Sequence, residues 1–151
     1  MTQELPPGYI ELACTTAYSF LHGACAPAEL VARAIALGHR GIGIADRNTV
    51  SGVVRAKIEI DRRRAEGEPV PEDFQLVTGA RLVFVDGTGD IIAYPATRHG
   101  WGRLTRLLSV GNRRAKKGEC ELSLADLLEH VDDLLLIALP RRDKRRQEGR
   151  W

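Results

Sequence analysis

Apolar and polar residues alternate through "YIELAC", residues 9 to 14, the period of a half-buried strand. In "PAELVARAIALG" the period changes: Leu30, Ala34 and Leu37 recur at helical spacing, Pro27 suits a first helical position, and Gly38 supplies a stop. "GIGIAD" is almost wholly small and apolar and predicts a strand buried on both faces that ends at Asp46. A second helix is predicted through "GVVRAKIEIDRRRAEG", up to Gly67. Two adjacent stripes are available to its core side, one of Val54 and Ile58, the other of Val53, Ala56 and Ile60. The proline-bearing "EPVPEDF" is a linker. "QLVTGARLVFVDGTGDIIAYPA" holds two β-rich runs around the turn Asp86-Gly87-Thr88-Gly89, a hairpin or a bulged strand pair.

Next, "GWGRLTRLLSVG" predicts a short amphipathic helix with Trp101, Leu104 and Leu108 on its core side, followed by the basic loop "NRRAKKGE". Ser123, with Asp126 three residues later, opens "SLADLLEHV" with a variant of the capping box and leads into the apolar strand "LLLIAL". Strands separated by helices imply βαβ units in a mainly parallel α/β sheet or barrel. If the sheet does not close, "IIAYPA" or "LLLIAL" keeps unpaired edge groups, so the chain by itself is expected to self-associate or to be only marginally stable.

Composition narrows the class without deciding it. With 151 residues, 44% of them hydrophobic, the chain can bury one ordinary core. The net charge of +2 is unevenly spread, because the last eleven residues, "RRDKRRQEGRW", carry six basic and two acidic groups. Residues 140–151 therefore read as a disordered basic tail, and a folded surface of strongly positive charge is not implied. Cys14, Cys25 and Cys120 are odd in number and lack Cys-x-x-Cys spacing, which argues against a disulfide framework or a zinc knuckle. The start has no basic segment followed by an apolar one, and no run has the length of a membrane span. A reduced cytoplasmic protein without a membrane partner is expected.

The order of "YIELACTTAYSFLHGACAPAEL", "GIGIADRNTVSGVVRA", "VTGARLVF" and "GWGRLTRLLSVGNRRAKKGECELSLADL" resembles the polymerase-and-histidinol-phosphatase (PHP) domain. More narrowly, it resembles the amino-terminal PHP domain of bacterial error-prone DNA polymerases of the DNA polymerase III alpha type, a C-family group. The resemblance covers residues 9 to 139 and implies a distorted (β/α)7 TIM-like barrel, of which a chain of this length holds roughly the first half. It also implies positions for a trinuclear metal centre: a His-x-His pair at the end of the first strand, an Asp-His pair after the second, and a Glu in the third motif. Here those positions read Ala13 and Thr15, Asp46 and Arg47, and Arg81. Only Asp46 keeps a ligand type. Alanine offers no lone pair to a metal at about 2 Å, and a guanidinium is permanently cationic. The resemblance therefore implies a degenerate metal site, no catalytic residue and no cofactor in this segment; magnesium belongs to the polymerase part of a parent chain.

Other residues have two readings each. Asp46 is an acid or base, or it caps the next helix or pairs with Arg47. His22 is a relic ligand or a solvated loop residue, and Cys14 has no partner that would make it a nucleophile. Arg113, Arg114, Lys116 and Lys117 contact DNA phosphates or form a solvated turn. Trp101 stacks on DNA or joins the core. Three functions follow: a silent PHP module that braces the rest of a polymerase chain used in replication and repair, a metal-dependent phosphoesterase or nuclease, or a stand-alone remnant with a binding role.

Overall fold

The structure, a computed structural model, describes residues 8–140. The predicted tail from Arg141 onward lies outside the described residues. The elements run in the order β1 (Ile10–Cys14), α1 (Pro27–Ala36), β2 (Gly41–Arg47), α2 (Ser51–Ala65), β3 (Gln75–Leu82), β4 (Ile91–Pro95), α3 (Arg98–Arg114), α4 (Leu124–Glu129) and β5 (Leu134–Ala138). One five-stranded sheet has its strands in sequence order.

The expectation of a mainly parallel sheet holds for its first half and needs correcting for the second. β1 with β2 and β2 with β3 are parallel, joined by the helical crossovers that parallel pairing requires. β3 with β4 and β4 with β5 are antiparallel. Only residues 83–90 join β3 to β4, too few to return the chain to the starting end of the sheet. Of the two segments expected to leave an edge, "IIAYPA" lies in β4 and is paired on both sides, whereas "LLLIAL" forms β5, which is an outer strand together with β1. On β5, Leu135 is 64% exposed.

Alternation sorts the side chains onto two faces. Ile42 and Ile44 of β2 pack with Val31 and Ala34 of α1 and with Val53, Ala56 and Ile60 of α2. Thus α2 uses the second of its two stripes, leaving Val54 and Ile58 more than half exposed. On α1 the buried side is Pro27, Val31 and Ala34, while the expected Leu37 is exposed beyond the last turn. Gly38 does end this helix, with φ of +73°. Further along the sheet, Ala80, Leu82 and Ala93 pack under Leu104, Leu107 and Leu108 of α3.

α3 is longer than expected. Thr97 caps it through Oγ1, which accepts from the Gly100 N–H at 3.1 Å, and the helix continues to Arg114. Two members of the predicted basic loop, Arg113 and Arg114, therefore belong to its last turn, and Trp101 sits half-buried at the margin of the core face. Ser123 and Asp126 form the expected capping box, and Asp126 also receives the Arg114 guanidinium at 2.8 and 2.9 Å.

The opposite face of the sheet is crossed by one side chain. Tyr94 of β4 extends over Gly79 of β3 and Gly43 of β2, and its hydroxyl donates to the Leu12 carbonyl of β1. A Cβ at Gly79 would stand 2.5 Å from the Tyr94 ring, and one at Gly43 would stand 2.5 Å from its hydroxyl. Burial pushes the phenol pKa up, so the hydroxyl remains a donor.

Candidate functional site

The carboxyl-terminal ends of β1, β2 and β3 bring the sequence-predicted positions together. Parallel register sets Asp46 beside Ala80 and Arg47 beside Arg81. Asp46 follows Ile42 and Ile44 on the helix side, whereas the two arginines lie on the other face. Asp46 is therefore not an ion-pair partner of Arg47.

Asp46 is fully buried, and its carboxylate accepts three hydrogen bonds. The Thr16 backbone N–H donates to Oδ1 at 2.7 Å, the Thr16 hydroxyl to Oδ2 at 2.8 Å, and the Ser19 hydroxyl to Oδ1 at 2.7 Å. Each hydroxyl accepts in turn, Thr16 from the Tyr18 N–H and Ser19 from the Arg47 N–H. The first turn of α2 closes over the group: a Cβ on Gly52 would lie 2.4 Å from Oδ2. Asp46 does not cap that helix: its partners are Thr16 and Ser19, and the N-cap position belongs to Val50, whose side chain makes no capping bond. Instead it folds the loop of residues 15–25 back onto β2. No composition or periodicity pointed to Thr16 and Ser19 as its partners, because they lie 30 and 27 residues away.

On the other face, Arg81 donates to Asp90 through Nε at 2.8 Å and Nη2 at 2.6 Å, and Arg47 Nη1 stands 3.6 Å from the same carboxylate. Asp90 was not singled out from the sequence. It precedes β4, and the hairpin returns it to the end of β3. Ala13 is exposed, Thr15 half-buried, and His22 exposed on the loop. Among the described residues, no group of three or more His, Cys, Asp or Glu side chains is placed to hold a metal ion.

Cys14 adjoins these positions but packs beside the core of α1 and α2. Burial pushes its thiol up to about 11, which leaves about one part in a thousand as thiolate at pH 8. Cys25 is exposed. A thiol reagent at pH 8 is expected to label Cys25 first and Cys14 only on unfolding, as read by mass spectrometry of digested protein.

The arrangement of strands and motifs has a family match. The PHP domain profile matches residues 11–142. The chain belongs to the PHP domain family. Its five strands form one sheet of mixed α/β type. Among similar proteins, error-prone DNA polymerase 1 of Rhizobium meliloti (strain 1021) is 54% identical over 131 residues, which cover 87% of this chain and 11% of that protein. The error-prone DNA polymerase of Caulobacter vibrioides (strain ATCC 19089 / CIP 103742 / CB 15) is 45% identical over 137 residues, covering 91% of this chain and 12% of the relative. A solved structure of a provisionally named metal-dependent phosphoesterase from Bifidobacterium adolescentis shares 23% identity at a TM-score of 0.45, covering 85% of this chain and 45% of that one. The chain spans about a tenth of the length of the polymerases it matches. No helix among the described residues is long and apolar enough to cross a membrane.

Proposed function

We propose that this chain is a catalytically silent PHP module of an error-prone DNA polymerase of the DNA polymerase III alpha type, serving to brace the rest of that polymerase during replication and repair. The observation that carries this reading is the use to which Asp46 is put. It holds the one ligand-type side chain at the five positions, yet it is enclosed and accepts three hydrogen bonds that fasten a loop. The other four positions offer a methyl group, a hydroxyl and two guanidiniums, and both guanidiniums are turned to Asp90. This donor set does not fit a three-metal centre, since cationic side chains raise the energy of a nearby divalent ion. No hydrolytic step is therefore assigned to it, and the segment needs no cofactor of its own. The magnesium-dependent chemistry of a polymerase, its cytoplasmic setting and its DNA belong to the parent chain.

The test is elemental analysis of the protein dialysed after exposure to excess zinc, manganese or iron, with hydrolysis of nitrophenyl phosphate and of DNA ends measured on the same samples. Sub-stoichiometric metal and no hydrolysis above buffer are expected. Near-stoichiometric metal accompanied by phosphate hydrolysis would establish the phosphoesterase reading instead.

A further inference from the structure

α3 contains five arginines and no acidic residue along its 17 positions. Two of the five are engaged: Arg103 with the Glu129 carbonyl and with Asp132, and Arg114 in a fork with Asp126. Arg98, Arg106 and Arg113, with Lys116 and Lys117 just beyond, are exposed, and their side chains make no ion pair or hydrogen bond among the described residues. α2 also carries five basic residues, but three of them are ion-paired, Lys57 with Asp61 and Arg62 and Arg63 with Glu59, Glu66 and Glu68, and Arg64 reaches backbone carbonyls. Apart from Arg33, Arg55 and Arg64, the arginines and lysines without an acidic partner among the described residues all lie on α3 and the turn after it.

The geometry suits an extended polyanion. Positions 102, 106, 109 and 113 share one helical face, opposite the buried Leu104, Leu107 and Leu108. A rise of about 1.5 Å per residue sets Arg106 and Arg113 about 10 Å apart along the axis. Between and beside them are Ser109 and Gly102, and space around Gly102 is open, so a chain of phosphates can approach the helix closely. The face continues through Asn112, Lys116 and Lys117 into a groove of about 860 Å³ that reaches Arg47 and Thr49 at the strand ends. Glu119 and Glu121 line that groove as well and bias an anion toward the lysine side.

We propose that the solvent face of α3, through Arg106, Arg113, Lys116 and Lys117, is a sequence-independent binding surface for the phosphate backbone of DNA. This rests on the polymerase-module reading, which supplies DNA as the polyanion. It also removes Arg114 from the contacts expected from the sequence, because Asp126 already occupies that guanidinium.

The test is fluorescence anisotropy of a labelled DNA duplex with the full chain over a salt series. Four phosphate contacts give a slope of log affinity against log salt of about −3.6 from this surface. Arg106→Gln with Arg113→Gln is expected to weaken binding at least tenfold at low salt and to flatten the slope by about 1.8. Arg33→Gln with Arg55→Gln removes the same charge from free arginines on other helices and is expected to leave the slope unchanged. Equal effects of the two pairs would reduce the binding to net charge and overturn the proposal. So would loss of binding only when Arg141, Arg142, Lys144, Arg145 and Arg146 are replaced by Gln, or no DNA binding at all. Metal content measured on the same protein separates these failures from failure of the silent-module reading, which near-stoichiometric metal alone would bring down.

Discussion

Replacing Asp46 with alanine is expected to destabilise the protein by about 4 kcal/mol, given three buried hydrogen bonds to a carboxylate at roughly 1.5 to 3 kcal/mol each and partial relaxation of the site. The loss comes less from the bonds themselves than from what they leave behind. The Thr16 and Ser19 hydroxyls are both buried and both hold a backbone N–H in place, so losing their common acceptor unsettles the whole loop. Urea unfolding followed by circular dichroism gives the stability change. Limited digestion with chymotrypsin reports the loop directly, since Phe20 and Leu21 are more than four-fifths exposed and cleavage there should quicken before global unfolding. Asp46→Asn keeps the shape and one acceptor and should lose about half as much. A residue whose main task was to hold a metal would behave differently: without metal, its removal would leave stability nearly unchanged. An unaltered urea midpoint for Asp46→Ala would therefore refute the structural role given to this side chain.

The second large effect is expected at Gly79. A valine there is predicted to destabilise the sheet by about 3 kcal/mol, as forced overpacking does in a well-filled interior. Its Cβ would press on the Tyr94 ring and also on the Ala93 carbonyl of the neighbouring strand, each 2.5 Å away, so rotating the tyrosine cannot relieve it fully. Tyr94→Phe, by contrast, removes only the bond to the Leu12 carbonyl and should reduce stability by about 1 kcal/mol. In the double variant Gly79→Val with Tyr94→Ala, part of the valine penalty should disappear, and the remainder measures the backbone contact. Full additivity in urea titrations would mean that the ring and the glycine do not share space.

The helices and strands were legible where local chemistry decides them. Pro27, Gly38 and Gly67 bounded helices, the Asp86 to Gly89 turn reversed the chain, and Ser123 with Asp126 built the cap. Where two solutions were locally equivalent, contact decided. Val53, Ala56 and Ile60 face β2 while Val54 and Ile58 do not, a choice that depends on how α2 crosses the sheet. α3 outran its apolar stripe because Arg113 and Arg114 are good helix formers and Arg114 gains a partner across the turn in Asp126. The site was half legible. Resemblance picked out Ala13, Thr15, Asp46, Arg47 and Arg81, and the fold does bring these strand ends together. Their partners were invisible because Thr16, Ser19 and Asp90 act through tertiary contacts that leave no period in the sequence.

Every strand of this sheet pairs with the strand made just before it, so as the chain leaves the ribosome each new strand meets an edge that already exists. Growth of this kind needs no strand to wait for a distant mate, and beside the free side of β1 only the newest strand offers an edge. Tyr94 is the exception. Its bond to Leu12 spans 82 residues and forms only after β2 and β3 have been laid between its ends. During synthesis it acts as a latch that engages last among the first four strands, fixing the span of a surface assembled one neighbour at a time.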